Sequence, residues 1–261
     1  MRAILPCIFE GLRMKLGSIS PLLGLVEKLA LHAPLSAEDR LGLLDLPYDL
    51  RSYDTGSYLL REGDKPDRCS MLVSGFAYRH KINSDGHRQI VSILIAGEVY
   101  DLQQLHLSTA DSNVQSLIRC EVATISHDAL RTLVSERPSV AHALFALTIV
   151  ELSMSREWTL NIGRRDARTR TAHFLCEFAY RLDKRGLPHG QPYELPMTQE
   201  QMGDALGLTT VHINRTIKAL VQDGLIGHSK RGVTIPDWGA LVSEAGFNSR
   251  YLHLDATASR A

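Results

Sequence analysis

The sequence predicts an α+β chain in the order lead-in helices, β-roll, long helix and winged helix-turn-helix. Three observations predict it. Residues 48 to 126 fall into short β-type runs separated by glycines at 56, 63, 75, 86 and 97. Residues 139 to 161 carry apolar side chains at steps of four and three. The stretch "MTQEQMGDALGLTTVHINRTIKAL", residues 197 to 220, holds two helical segments around a Gly-Leu-Thr break. Short strands punctuated by turn residues read as a β-sandwich or β-roll, a four-three stripe as a helix seam, and two helices joined by a tight turn as a helix-turn-helix.

The first 46 residues read as lead-in helices. Apolar residues recur at helical spacing from Leu16 to Leu46, and "PLSAEDR" starts a second helix with Ser36 as cap and Asp39 in the first turn. Residues 47–137 then form the β-roll unit, with "SYLLREGD", "CSMLVSG", "FAYRHKI", "RQIVSILIAGE" and "CEVATIS" as strands and a short closing helix that stops before Pro138.

Residues 138–163 are the long helix. Val140, Leu144, Leu147, Met154 and Trp158 make its stripe, and the flanking Ile149 and Val150 favour a dimer seam over packing on the helix's own β-unit. Residues 164–245 are the winged unit, entered through the basic hinge "GRRDARTR", an amphipathic helix stopped by Gly186, and a loop with Pro188, Pro192 and Pro196. Residues 246–261 read as a C-terminal tail.

The 197–220 stretch carries the function. Thr198 followed by Gln201 is a capping box, so a helix begins there and runs to Gly207; Thr209 caps the next, spanning 209–222. At about 100° per residue, Ile213, Ile217 and Leu220 share one side of that second helix and must pack on Met202, Ala205 and Leu206. Val211, Asn214, Arg215, Lys218 and Gln222 share the other. Arginine can grip guanine O6 and N7, asparagine adenine, and valine a thymine methyl, with Lys218 placed for phosphate. Thr209, Thr210 and His212 complete the presented end of the helix. "GLIGHSKRGVTIPD" follows as strand, turn and strand, a wing whose tip holds Lys230 and Arg231.

Composition bounds the partners. The chain has 261 residues, 44% hydrophobic and 22% charged, with no formal net charge, so any DNA binding must come from a local patch. Residues 164 to 231 supply one, with 11 Lys or Arg against 7 Asp or Glu. Such binding is expected to be salt-dependent. The four cysteines, Cys7, Cys69, Cys120 and Cys176, form no CxxC pair, which fits a reducing cytoplasm and excludes a zinc ribbon. The N-terminal apolar run is interrupted by Pro6 and has no small-residue cleavage site. "VAHALFALTIVELSM" is too short for a bilayer and carries His142 and Glu151. No secretory signal and no membrane segment are therefore expected. There is no GxGxxG, P-loop, HExxH or G-x-S-x-G, so no enzyme is indicated.

In this order, "REGD" at 61–64, "LVSG" at 72–75, "IAGE" at 95–98, "CEVATIS" at 120–126 and the 197–220 stretch resemble the bacterial transcription regulators typified by the cyclic-AMP receptor protein and the fumarate and nitrate reduction regulator, the CRP/FNR family. The resemblance covers about residues 20 to 245. It implies a cyclic-nucleotide-binding-like β-roll (a double-stranded β-helix or jelly roll), a parallel homodimer along the long helix, and recognition helices reading a palindromic operator in double-stranded DNA. RNA polymerase is a possible further partner. By position Val211, Asn214 and Arg215 are the base readers; Arg215 matches the family's usual arginine, whereas Val211 replaces its usual glutamate.

The sensory side departs from the family. Gly97 and Glu98 match the Gly-Glu of the phosphate cassette, but Ala110 and Asp111 fall where the family's cyclic-nucleotide binders have an Arg-Ser pair. Aspartate repels a phosphate and no arginine replaces the lost fork, so these four residues are expected to form a vestigial pocket. The single N-terminal cysteine, Cys7, argues against an iron–sulfur cluster. His80 and His87 read as surface histidines on a hairpin rather than haem ligands. The expectation is a regulator without cofactor or metal, whose effector is something other than cyclic AMP or is absent. The alternative is a sensor responsive to a cyclic nucleotide, another small molecule or redox state that binds DNA only when liganded.

Overall fold

The computed structural model describes residues 20–184, 193–228 and 232–254. Two short helices lead in, α1 (Leu23–Ala30) and α2 (Ala37–Leu44). Ser36 caps α2 through a reciprocal box with Asp39. Seven strands follow: β1 (Asp49–Tyr53), β2 (Tyr58–Leu60), β3 (Arg68–Ser74), β4 (Phe76–Ile82), β5 (Arg88–Ile95), β6 (Asn113–Ser116) and β7 (Cys120–Ser126). They form two antiparallel sheets in the orders β1-β7-β3 and β2-β6-β4-β5. Leu60, Leu72, Ala77, Leu94, Val114 and Val122 form the core of this roll. Alternation along a strand turns every second side chain inward.

Helix α3 (His127–Glu136) leads into α4 (Pro138–Arg164), a 27-residue helix whose first position is a proline, where a missing N–H costs nothing. Here one sequence expectation is overturned. Val140, Leu144 and Leu147 are buried in a cluster with Leu25, Leu29, Met71, Leu130 and Ile125 of the same chain, so they belong to its own core and not to a seam. Met154 and Trp158, further along α4, are half-buried against the core of the winged unit, Trp158 edge-on to Phe174 and donating its indole N–H to Glu177 at 3.1 Å. A different apolar stripe is left uncovered, with Phe145 64% and Leu152 57% exposed, and Ile149 and Leu160 beside them. Taken whole, α4 is long and apolar enough to span a bilayer, unlike the shorter run visible in sequence. The packing above explains its apolar inner side and leaves the outer stripe uncovered among the described residues.

After α4 come α5 (Ala167–Asp183), β8 (Tyr193–Glu194), α6 (Gln199–Leu206), α7 (Thr210–Gln222), β9 (Gly227–His228), β10 (Gly232–Thr234) and α8 (Trp238–Ala245). The wing is a three-stranded sheet, β8-β10-β9. Strand β8 lies in the stretch read from sequence as a proline loop, because two residues are too few to show periodicity. The expected tail after residue 245 is not loose through its first nine residues: Phe247, Leu252 and Leu254 are buried in the winged unit's core. That core also takes in Tyr78, Ile90, Ile93 and Ile95 from the roll. The two units therefore share apolar packing along β5.

Candidate nucleic-acid interface

The helix-turn-helix is assembled by short-range hydrogen bonds. Thr198 and Gln201 cap α6 reciprocally at 2.8 and 3.1 Å, and Thr209 Oγ1 accepts the His212 N–H at 3.3 Å to start α7. Gly207 ends α6 in the left-handed region at φ 61°, a conformation glycine adopts without penalty. Gly203 is a residue the sequence reading missed. A Cβ there would sit 2.5 Å from the Leu208 carbonyl oxygen, so the turn closes directly onto the glycine. Alanine is ordinarily the better helix residue by about 1 kcal/mol. At this site the clash with backbone reverses the sign, and Gly203→Ala is expected to destabilise the winged unit by about 1–3 kcal/mol. Thermal unfolding checks this, and a melting temperature at or above wild type would contradict it.

Helix α7 sorts its faces as its periodicity requires. Ile213, Ile217 and Leu220 are buried with Met202, Ala205 and Leu206. Thr209, Thr210, Val211, His212, Arg215 and Lys218 are exposed, and Asn214 is half-buried, its Nδ2 donating to Gln199 Oε1 at 3.2 Å. Gln199, Thr210, Val211, Asn214, Arg215, Lys218 and Gln222 line one open concave face. Thr209 is spent as the cap, so Thr210, Val211, Arg215 and Lys218 are the groups free to meet a partner, with Asn214 releasable from Gln199. Lys230 and Arg231, the expected wing tip, lie outside the described residues.

The basic excess of residues 164–231 overstates this patch. Arg165 pairs with Glu157, Arg168 with both Asp223 and Glu244, and Arg170 donates to the Leu206 and Arg165 carbonyls. Arg165 folds back on α4, while Arg168 and Arg170 brace α5 against α8, α6 and the C-terminal ends of α4 and α7. Arg215 and Lys218 are the exposed cations on the concave face.

The four residues expected to form a vestigial pocket are not brought together. Glu98 is buried and lines a cavity of about 300 Å³ between β5 and α4, where Lys28, Arg79, Leu147, Glu151, Trp158 and Arg181 are further walls. Gly97 lies beside Gly24 in a separate groove. Ala110 is buried in the core of the roll and its backbone pairs with Gly63 and Asp64, while Asp111 is exposed with its carbonyl accepting from Lys81. A second correction concerns the missing arginine. Arg79, from β4, donates to Ser112 Oγ at 2.9 Å and to the Tyr100 carbonyl, so an arginine does stand next to the altered pair. Its contribution comes across the sheet, from more than 30 residues upstream, where counting back along the chain does not look. His80, expected at the surface, is instead buried against Tyr58 and Tyr78, and burial pushes its pKa down.

A β-roll joined by a long helix to a winged helix-turn-helix with an open, cation-bearing second helix defines a DNA-binding regulator. Residues 50–137 match the family model of the cyclic nucleotide-binding domain, and residues 169–244 that of the Crp-like helix-turn-helix domain. The chain belongs to the CRP/FNR family of transcription regulators. It is 31% identical over 224 residues to the transcriptional activator protein FnrL of Cereibacter sphaeroides, a match covering 84% of this chain and 89% of FnrL. It is 29% identical over 175 residues to the nitrogen fixation regulation protein FixK of Azorhizobium caulinodans, covering 66% of this chain and 68% of FixK. The solved structure of FixK2 from Bradyrhizobium japonicum superposes with a TM-score of 0.71 at 26% identity, covering 78% of this chain and all of that one.

Proposed function

We propose that the protein acts in the cytoplasm as a homodimeric regulator that reads a two-fold palindromic operator, one half-site per α7, with Val211, Asn214 and Arg215 on base edges and Lys218 on phosphate. The observation that carries this reading is Val211, 75% exposed between Thr210 and Arg215 on the concave face of a helix whose opposite side is fully packed. A branched apolar side chain there gains nothing from water but fits a thymine methyl. Arg215 supplies the bidentate fork for guanine. Without a carboxylate at 211, the operator lacks the contact that such a group would make to cytosine N4. The outer stripe of α4 supplies the two-fold partner surface, and RNA polymerase is the further partner that a regulator of transcription would meet at a promoter.

The effector is something other than cyclic AMP, or none. The cavity beside Glu98 favours a second reading, in which a small molecule seated between β5 and α4 is needed before DNA is bound. Selection of binding sites from a random duplex library by the purified protein, with no ligand added, separates the two. Enrichment of a palindrome with half-sites about one helical turn apart supports an effector-free dimer. Absence of any enriched sequence supports the ligand-dependent reading.

A further inference from the structure

The DNA-binding unit grips strand β5 at both ends. At the start of the strand, Arg88 Nε donates to Asp204 Oδ2 at 2.8 Å and Gln89 Nε2 to the Asp204 carbonyl at 2.7 Å, both on α6. Beyond its end, Arg181 of α5 reaches into the roll. Its Nη2 donates to the Ile93 carbonyl at 2.8 Å and to the two oxygens of Glu98 at 3.0 and 2.9 Å. Lys28 of α1 closes the other side of Glu98 at 3.0 Å.

The relay continues to α4 and to the segment after α8. Arg181 Nη1 lies 3.4 Å from Glu177, and Glu177 accepts from the Trp158 indole on α4 and from the Tyr251 hydroxyl at 2.7 Å. Lys28, Glu98, Glu177 and Arg181 are all buried, and their formal charges balance. Burial alone would raise the Glu98 pKa; the charges of Arg181 and Lys28 hold it down to about 2. The carboxylate is therefore ionised whenever the relay is intact.

Apolar packing along β5 is non-directional and permits neighbouring registers. A planar guanidinium held between two buried carboxylates and a backbone carbonyl has one geometry, and a shifted register would leave charges unpaired in the interior. We propose that Arg181 and Glu98 are positioning residues for DNA reading: their buried pair, extended by Lys28 and Glu177, fixes the orientation in which the β-roll presents α7. The carboxylate that the sequence suggests as part of a ligand cassette is thus occupied by an arginine of the chain's own DNA-binding unit. This rests on the reading of α7 as the DNA-contacting helix.

The test reads domain geometry without DNA. Spin labels are placed at the exposed positions Arg51, on β1, and Gln222, on α7, in a Cys7→Ser background, since Cys69, Cys120 and Cys176 are buried. Labelled chains are diluted into unlabelled ones so that each measured pair lies within one protomer. Wild type is expected to give one narrow distance distribution. Arg181→Gln and Glu98→Gln are expected to broaden or shift it, and Arg181→Lys, which keeps the charge and loses the planar group that spans Glu98 and Glu177, to do so less. Should Arg181→Gln fail to fold, Glu98→Gln and Arg181→Lys carry the test.

With an operator from the selection in hand, Arg181→Gln is expected to weaken binding tenfold or more with no change in salt dependence, because no phosphate contact is removed. Folded variants whose melting temperature falls but whose distance distribution matches wild type would overturn the proposal and leave the relay a stability element alone. Failure to enrich any operator would bear on the reading of α7, and the distance measurement would still decide the positioning role.

Discussion

Leu152→Glu is expected to give a folded monomer that has lost at least a hundredfold in operator binding. Phe145, Ile149, Leu152 and Leu160 are exposed large apolar side chains on α4, spaced by four, three and eight, while the opposite side of the helix is packed into its own chain. Covering each one contributes about 1.5–3 kcal/mol, and a two-fold seam counts every residue twice. A carboxylate at 152 would be carried into that seam opposite its own symmetry mate, with no cation among these four residues to meet it. Loss of the dimer disconnects the two half-sites, and with them an avidity of about 10²- to 10⁴-fold. Sedimentation velocity reads the first effect and a gel-shift titration the second. A dimer that survives Leu152→Glu would place the seam elsewhere. Leu147→Glu is the contrasting case: Leu147 is 2% exposed inside the cluster that joins α4 to α1, α3 and strands β3 and β7, so this change should unfold the protein rather than split it.

Arg215→Ala is expected to cost about 1–3 kcal/mol of operator binding and to relax selectivity at one base pair. The side chain is exposed and no intrachain hydrogen bond or ion pair binds it among those described, so the melting temperature should stay within error of wild type. Lys218→Ala should differ in kind: a uniform loss across sequences and a salt slope smaller by about one. Competition titrations against operators mutated at single positions, repeated at several salt concentrations, separate the two. If Arg215→Ala weakened every sequence equally, Arg215 would be a phosphate contact and not a base reader.

What could be read from sequence was whatever depends on near neighbours. The capping boxes at Ser36 and Thr198, the Thr209 cap and the split of α7 into a packed and an open face all follow from residues within one or two helical turns of each other. The strand-rich middle was equally legible, since alternation and glycine turns are local. Which stripe of α4 stays uncovered was not. On α4, Val140, Leu144 and Leu147 repeat at the same spacings as Phe145, Ile149 and Leu152, and periodicity says only that a face is apolar, never which neighbour covers it. Counting charges failed for the same reason: Arg165, Arg168 and Arg170 add to the basic excess, yet each is held by a carboxylate or carbonyl of its own chain.

From sequence alone came the order of the main elements, the caps at Ser36, Thr198 and Thr209, and the residues on the open face of α7, because these rest on hydrogen bonds and spacings among adjacent residues. Folding in three dimensions set the rest: the apolar stripe of α4 that remains free, the place of Arg79 beside Ser112, and the closure of Arg181 on Glu98, 83 positions away in the chain. Those contacts depend on how sheets and helices distant in sequence come to lie against one another, and a buried charge chooses its partner from what is near in space, not from what is near along the chain.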